Sequence, residues 1–349
     1  MQDEARNEFF RGGMIGRCDR RTFLKGGAML AGTVALGLPL AACAPQAPKQ
    51  IFETKGAIPA GGLLSASAQI VSEKKGFFRD EGIGVEWTEF AGGGDNIRAV
   101  TTGGMPLGIG SYGAAAAAFE QGQPIRIVAD GWHDTDNCWV VRADSPLQSV
   151  KDIKGKKVSY SAVGSNTHML LLSSLRGAGI NPDEVQLLAS GATPDTWTAV
   201  KTGVIDVGFC LQPLVSQIVL AKEARVLWWA RDYLKEWSNT PLVCNADFAK
   251  QNPDVVKAYV RGYMKGLDFI KNNRVDAAKV YAEAAGLQVD IATEAYKATP
   301  DKAFNVKVSK TFLDFLDDLY VEFKITKQKP DWKTLFDQSY LPDSLKSTL

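Results

Sequence analysis

The stretch Gly164-Ser165-Asn166-Thr167-His168 puts two hydroxyls, an amide and an imidazole where a helix is expected to begin. The first turn of a helix leaves backbone N–H groups without intrahelical partners and carries the positive end of the helix dipole, so this stretch can hold an anion. The same residues also suit a plain cap, with Ser165 or Asn166 satisfying those N–H groups and binding nothing. Two glycine-rich stretches, Pro59-Ala60-Gly61-Gly62-Leu63 and Ala91-Gly92-Gly93-Gly94-Asp95, precede further predicted helices, and both let backbone amides approach a ligand closely. No Gly-Lys-Ser/Thr follows the second, so the parts needed for nucleotide hydrolysis are missing. Ser111-Tyr112 and Leu211-Gln212-Pro213 each follow a predicted strand. Tyr112, Trp132, Trp197 and Trp229 are aromatics near these loops that either wall a ligand or belong to the core.

Catalytic and metal chemistry find less support. His133-Asp134-Thr135-Asp136-Asn137 bunches oxygen and nitrogen ligands, but alternate residues of a loop need not converge on an ion, and a solvated turn is expected there. The chain has two histidines, no G-x-S-x-G elbow and no Cys-His pair close in sequence, so no catalytic residue, metal or cofactor is expected. Its cysteines, at 18, 43, 138, 210 and 244, form no C-x-x-C. Cys210 is expected in the core. Cys138 and Cys244 flank two expected chain crossings and leave two readings open, a disulfide that stiffens a hinge or buried free thiols.

The elements that must position these residues alternate strand with helix, the α/β pattern. Strands are expected at Ile83 to Phe90, Pro106 to Gly110 and Ile125 to Ala129. Helices are expected at Leu63 to Lys75, Asp95 to Thr102 and Ala114 to Gln121. The pattern then restarts. Strands follow at Cys138 to Arg142, Lys157 to Ser161, Val185 to Leu188 and Ile205 to Cys210, with helices at Met169 to Ala178 and Asp195 to Thr202. From Asp254 onward, behind Pro253, the chain is expected to be mostly helical and to cover a sheet already built.

The order Glu73-Lys74-Lys75-Gly76-Phe77-Phe78-Arg79-Asp80-Glu81-Gly82-Ile83, Gly108-Ile109-Gly110-Ser111, Asp152-Ile153-Lys154-Gly155-Lys156-Lys157-Val158, Gly164 to Leu171, Gly203-Val204-Ile205-Asp206-Val207-Gly208 and Asn245-Ala246-Asp247-Phe248 resembles the nitrate/taurine/aliphatic-sulfonate type of periplasmic substrate-binding protein, a type that is also thiamine-precursor-like. The resemblance covers nearly all of residues 51 to 290. It implies a type II periplasmic-binding-protein fold, two Rossmann-like lobes joined by two crossing strands that close on a ligand. It also implies ABC permease and ATPase subunits as partners, and binding roles for Ser165 and His168. Many relatives carry an acid where this chain has Gln212. An amide there suits a neutral or anionic ligand and speaks against a taurine-like zwitterion.

The N-terminal segment is set apart. Arg20-Arg21-Thr22-Phe23-Leu24-Lys25 precedes an uncharged, small-residue-rich run from Gly26 to Leu40, shorter than the roughly 20 residues of a membrane span. It resembles a twin-arginine export signal, and Leu40-Ala41-Ala42-Cys43 resembles the lipobox of bacterial lipoproteins, with lipid on Cys43. The expected organisation is signal 1–43, with Met1 or Met14 as the start, and a Pro-rich tether 44–50. Lobe one would hold residues 51–138 with 245–349, and lobe two 139–244. An exported, lipid-anchored monomer of the periplasm or cell envelope follows. Forty Lys and Arg against 39 Asp and Glu give a net charge of +1 and no field for nucleic acid. The expected function is capture of a small organic anion of the sulfonate, nitrate or taurine class for an ABC importer. The alternatives are a neutral heterocycle such as a pyrimidine thiamine precursor or flavin and, less favoured, an exported enzyme or a sensor subunit. The candidate ligand contacts are Gly61, Gly62, Gly92, Gly93, Ser111, Tyr112, Trp132, Gly164, Ser165, Asn166, Thr167, His168, Trp197 and Gln212.

Overall fold

Apolar and β-branched runs build two sheets, and their order explains how one chain makes both. The computed structural model describes residues 50–349 other than Gly61, Ala91, Gly164 and Lys235. The export signal, Cys43, the tether up to residue 49, Gly61 and Gly164 therefore lie outside the described residues. The strands are β1 Phe52–Pro59, β2 Ile83–Phe90, β3 Leu107–Ile109, β4 Ile125–Ala129, β5 Cys138–Arg142, β6 Lys157–Tyr160, β7 Gln186–Ala189, β8 Gly208–Cys210, β9 Ala224–Trp229 and β10 Leu242–Asn245. The first sheet runs β2-β1-β3-β10-β4, with β1 parallel to β2 and β3, and β10 antiparallel to both its neighbours.

The second sheet repeats that order. β5 lies antiparallel between β8 and β9, and β6 pairs with β7 in parallel. A parallel bridge between Val158 and Val207, with Ser159 N–H donating to the Val207 carbonyl at 3.0 Å, joins the two pieces as β7-β6-β8-β5-β9. In each sheet the antiparallel strand is the one laid down just after the chain arrives from the other sheet. The connecting legs are residues 130–137 and 230–241. They are hydrogen-bonded to one another: Asn239 N–H donates to the Trp132 carbonyl at 2.8 Å, and Ala230 N–H to the Asn137 carbonyl at 3.0 Å.

The first leg is buried apart from the half-buried His133, contrary to the solvated turn expected at 133–137. Asp134, Thr135, Asp136 and Asn137 are all at most 4% exposed. Burial of these polar groups is offset by partners such as Arg231 for Asp134 and the Gln212 N–H for Asp136. Cys244 sits in the first sheet opposite Leu107 and Arg126, whereas Cys138 faces Cys210 in the second. All three thiols are free and buried, so no disulfide links the legs.

Helices cover the sheets, as expected of parallel strands that need both faces shielded. The long helix Pro253–Asn272 buries Val256, Tyr259, Val260, Tyr263, Leu267 and Ile270, a three-to-four-residue spacing that lays one stripe on the core. Its Gly262 and Gly266 let it press against the elements Phe77–Glu81 and Ser67–Lys74. A Cβ at Gly266 would lie 2.7 Å from the Ala68 carbonyl oxygen. Among the described residues no helix is long and apolar enough to cross a membrane.

Candidate functional site

A cleft of about 810 Å³ opens between the two sheets, where β1, β3, β6 and β8 end. Ligand crevices in open α/β sheets form beyond such carboxyl ends. Three helices point their N-termini into it: Gly93–Thr101, Tyr112–Glu120 and Asn166–Gly177, each with first-turn residues on the wall. The first begins so close to β3 that a Cβ on Gly93 would meet the Ser111 nitrogen at 3.0 Å. Only a residue without that carbon brings the two N-termini this near each other without a shift.

The wall from the second sheet is a hydroxyl triangle. Ser161 Oγ donates to Ser165 Oγ at 2.9 Å and lies 2.7 Å from Thr167 Oγ1, and Ser165 Oγ lies 2.9 Å from Thr167 Oγ1. Ser165 is also the N-cap, accepting from His168 N–H at 3.3 Å, so the cap and the cleft wall are one group. Opposite stands Asn96, fully buried, whose Nδ2 donates to the Ile109 carbonyl at 2.8 Å. Asn137 and Asn239, from the two connecting legs, also line the cleft.

Charge follows the same polarity. Arg98 and Lys324 line the cleft, and among the described residues no Asp or Glu does. Arg98 is an exposed group that pairs with Asp95 one turn back on its helix. Helix N-termini, hydroxyl donors and cations together favour a negatively charged guest.

The residues picked out from the sequence divide accordingly. Gly92, Gly93, Ser111, Ser165, Asn166 and Thr167 line the cleft together. Gly62 adopts φ +60° and its carbonyl accepts from Tyr281, away from the wall. Tyr112 and Trp132, at 2% and 1% exposure, pack against Phe312 and Phe304. The Tyr112 hydroxyl donates to Asp130 at 3.0 Å. Trp197 lies in the small core of the second lobe with Val140, Val200 and Ile218. His168 stacks on Tyr160 at 4.3 Å, and burial pushes its pKa down. Gln212 turns its Oε1 to the Ser216 N–H and hydroxyl at 3.1 and 2.9 Å, in the first turn of the helix Leu214–Leu220.

Sequence reasoning missed Asn96, Arg98, Ser161, Asn239 and Lys324. Asn96 and Arg98 had a local signal, since they sit in the first turns after a glycine-rich loop whose helix had been read. Lys324 and Ile325 follow the helix Lys310–Glu322, and nothing local ties that helix to this cleft.

Comparison with known proteins agrees with this architecture. The taurine-binding periplasmic protein of Escherichia coli (strain K12) is 28% identical over 200 residues, 56% of this chain and 60% of that protein. The match thus spans less than two thirds of that relative's length. A putative aliphatic sulfonates-binding protein of the same organism is 25% identical over 284 residues, 79% of this chain and 84% of that protein. The crystal structure of the periplasmic aliphatic sulphonate-binding protein of Escherichia coli superposes with a TM-score of 0.70 at 20% identity, covering 87% of this chain and 96% of the other. The fold is thereby that of the periplasmic binding proteins. Residues 66–277, more than half of the chain, match the NMT1/THI5-like family, and the chain belongs to it.

Proposed function

We propose that this chain is the extracytoplasmic solute-binding subunit of an ABC importer, and that it takes a small organic anion of the sulfonate class into the cleft between its lobes. One observation carries the reading: three helix N-termini and two cationic side chains border a cleft that no described carboxylate lines. The names of its relatives, taurine- and aliphatic-sulfonate-binding proteins, support the same ligand class. The role is binding without turnover, followed by delivery to permease and ATPase subunits. Ser165, Asn166 and Thr167, with Gly92, Gly93 and Ser111 across the cleft, would hold the anionic group. Export as a monomer anchored by lipid on Cys43 completes the proposal.

Calorimetric titration of the exported protein against ethanesulfonate, taurine, nitrate, riboflavin and a hydroxymethylpyrimidine tests it. The expected result is saturable binding of a sulfonate with no product formed, weakened about tenfold by Thr167→Val, which removes one hydroxyl donor to a charged group. Binding of riboflavin or the pyrimidine alone would replace the anion reading with the neutral-heterocycle one. Loss of lipid labelling in Cys43→Ala checks the anchor; unchanged labelling would refute it.

A further inference from the structure

We infer that Lys324 is the residue that selects the ligand by charge: its ammonium group pairs with the bound anion at the seam between the two lobes. The inference rests on the anion-binding reading above and assigns the counter-charge to one side chain.

The backbone gives the first reason. Lys324 follows the helix Lys310–Glu322 in the left-handed region, at φ +55°. Its N–H donates to the Val321 carbonyl at 3.1 Å, and the next N–H, of Ile325, donates to the Tyr320 carbonyl at 2.8 Å. This pair of bonds is the Schellman ending of a helix, in which glycine is the usual residue at the left-handed position because a Cβ crowds the backbone there. Lysine stands there against that preference, and the helix ending itself has no use for an ammonium group.

The surroundings give the second. Lys324 is exposed and lines the cleft, and its side chain has no ion-pair or hydrogen-bond partner among the described residues. Arg98, the other cation on the wall, is already paired with Asp95 on its own helix. Among the described residues that line the cleft, Lys324 is therefore the cation whose charge is left uncompensated. An anionic guest supplies that charge, and a bond between two ionised groups is stronger than one between neutral ones.

The third reason is position. Phe323 packs on His168 of the second lobe, with ring centroids 5.6 Å apart. Ile325 lies so close to Gly113 of the first lobe that a Cβ there would meet its methyl group at 3.3 Å. His168 and Gly113 stand in the first turns of the helices Asn166–Gly177 and Tyr112–Glu120, two of those whose N-termini enter the cleft. Lys324 sits between the residues that touch them. The segment is fastened further out as well, by Glu322 to Arg176 at 2.9 Å and by the Lys327 N–H to the Glu120 carboxylate at 3.0 Å. A flexible ammonium stem is thus held where the two lobes meet around the guest.

Two measurements on the exported protein test this, with ethanesulfonate as the probe. Acetylation of lysines with acetic anhydride, mapped by mass spectrometry, should be slowed about tenfold at Lys324 by saturating ethanesulfonate and left unchanged at the exposed Lys327. Equal rates at Lys324 with and without the anion would overturn the inference. In calorimetry, Lys324→Gly should weaken binding about tenfold, the loss of one charge-assisted contact. Its melting temperature should not fall, because glycine is the residue the left-handed position prefers. Lys324→Arg, which keeps the charge, should bind within about threefold of the unmodified protein. Unchanged affinity in Lys324→Gly, or a lowered melting temperature together with lost affinity in both variants, would make the residue structural and overturn the inference while leaving an anion-binding protein. Failure of the unmodified protein to bind ethanesulfonate, taurine or nitrate would overturn the anion reading itself, and this inference with it.

Discussion

His133 Nε2 lies 3.0 Å from Glu236 Oε1, so an imidazole on one connecting leg meets a carboxylate on the other. The same ring places Nδ1 2.8 Å from the buried Asp130 Oδ2. Burial alone would lower the imidazole pKa, but the hydrogen bonds and charges of Asp130 and Glu236 outweigh it and raise the pKa above 6.5. The bonds that fasten the legs are thereby tied to protonation of one side chain.

A pH dependence follows. A group whose folded-state pKa is raised contributes stability that is fully present below its unfolded value and is lost as pH rises through its folded value. For His133 the loss begins above 6.5 and runs through its raised folded-state value. Melting temperature measured from pH 6 to 9 should fall more steeply in the unmodified protein than in His133→Gln, which cannot gain or lose the proton. Parallel curves would show that the ring does not titrate in this window.

Asp136 behaves in the same sense over a lower range. Burial raises its pKa to about 6, against the opposing hydrogen bonds from backbone N–H groups and the charge of Arg231. Its protonated form is favoured in the fold, so stability is lost between 3.8 and about 6 as the carboxyl ionises. Asp136→Asn should remove that loss, and a plot of the difference in melting temperature against pH should rise in favour of the variant across this interval. No change across it would refute the assignment.

Gly266 should tolerate no side chain. A Cβ there would lie 2.7 Å from the Ala68 carbonyl, and both partners are backbone of packed helices that cannot swing aside. Gly266→Leu is expected to cost about 3 kcal/mol by forcing the helices apart. Urea unfolding gives the value directly, and a cost under about 1 kcal/mol would mean the helix pair is looser than its packing implies.

The three described thiols should be inert in the native protein. Burial pushes Cys210 up to about 12 and raises Cys138 and Cys244 well above the ordinary thiol value, leaving almost no thiolate. Labelling with an iodoacetamide reagent at pH 8, mapped by mass spectrometry, should leave all three unmodified until denaturant is added. Native labelling of any of them would contradict the burial.

Much of this fold was legible because most strands are continuous apolar runs: β4 and β5 were read end to end from their sequences. β1 was not read, since it opens with Glu53, Thr54 and Lys55 facing solvent or half-buried and only its last four residues are buried. β10 is four residues long, and its place between β3 and β4 depends on pairing with strands far away in the chain. At the site, Ser165 and Thr167 carried a local signal, that of a helix start. His168 and Gln212 sit beside equally local signals, but their rotamers are set by Tyr160 and Ser216, which no spacing rule reveals. Lys324 and Asn239 reach the cleft only through tertiary packing.

The inserted strand β10 has a consequence for how the molecule comes into being. As the polypeptide is synthesised, β3 and β4 must wait for β10 to lie between them until the whole of the intervening lobe has been made. The first sheet is not complete as a contiguous piece, whereas β5 to β9 build the second within one continuous stretch. Cutting the gene at either connecting leg would therefore leave the first sheet with an unpaired gap between β3 and β4, prone to associate through it, while the strands of the second sheet stay together.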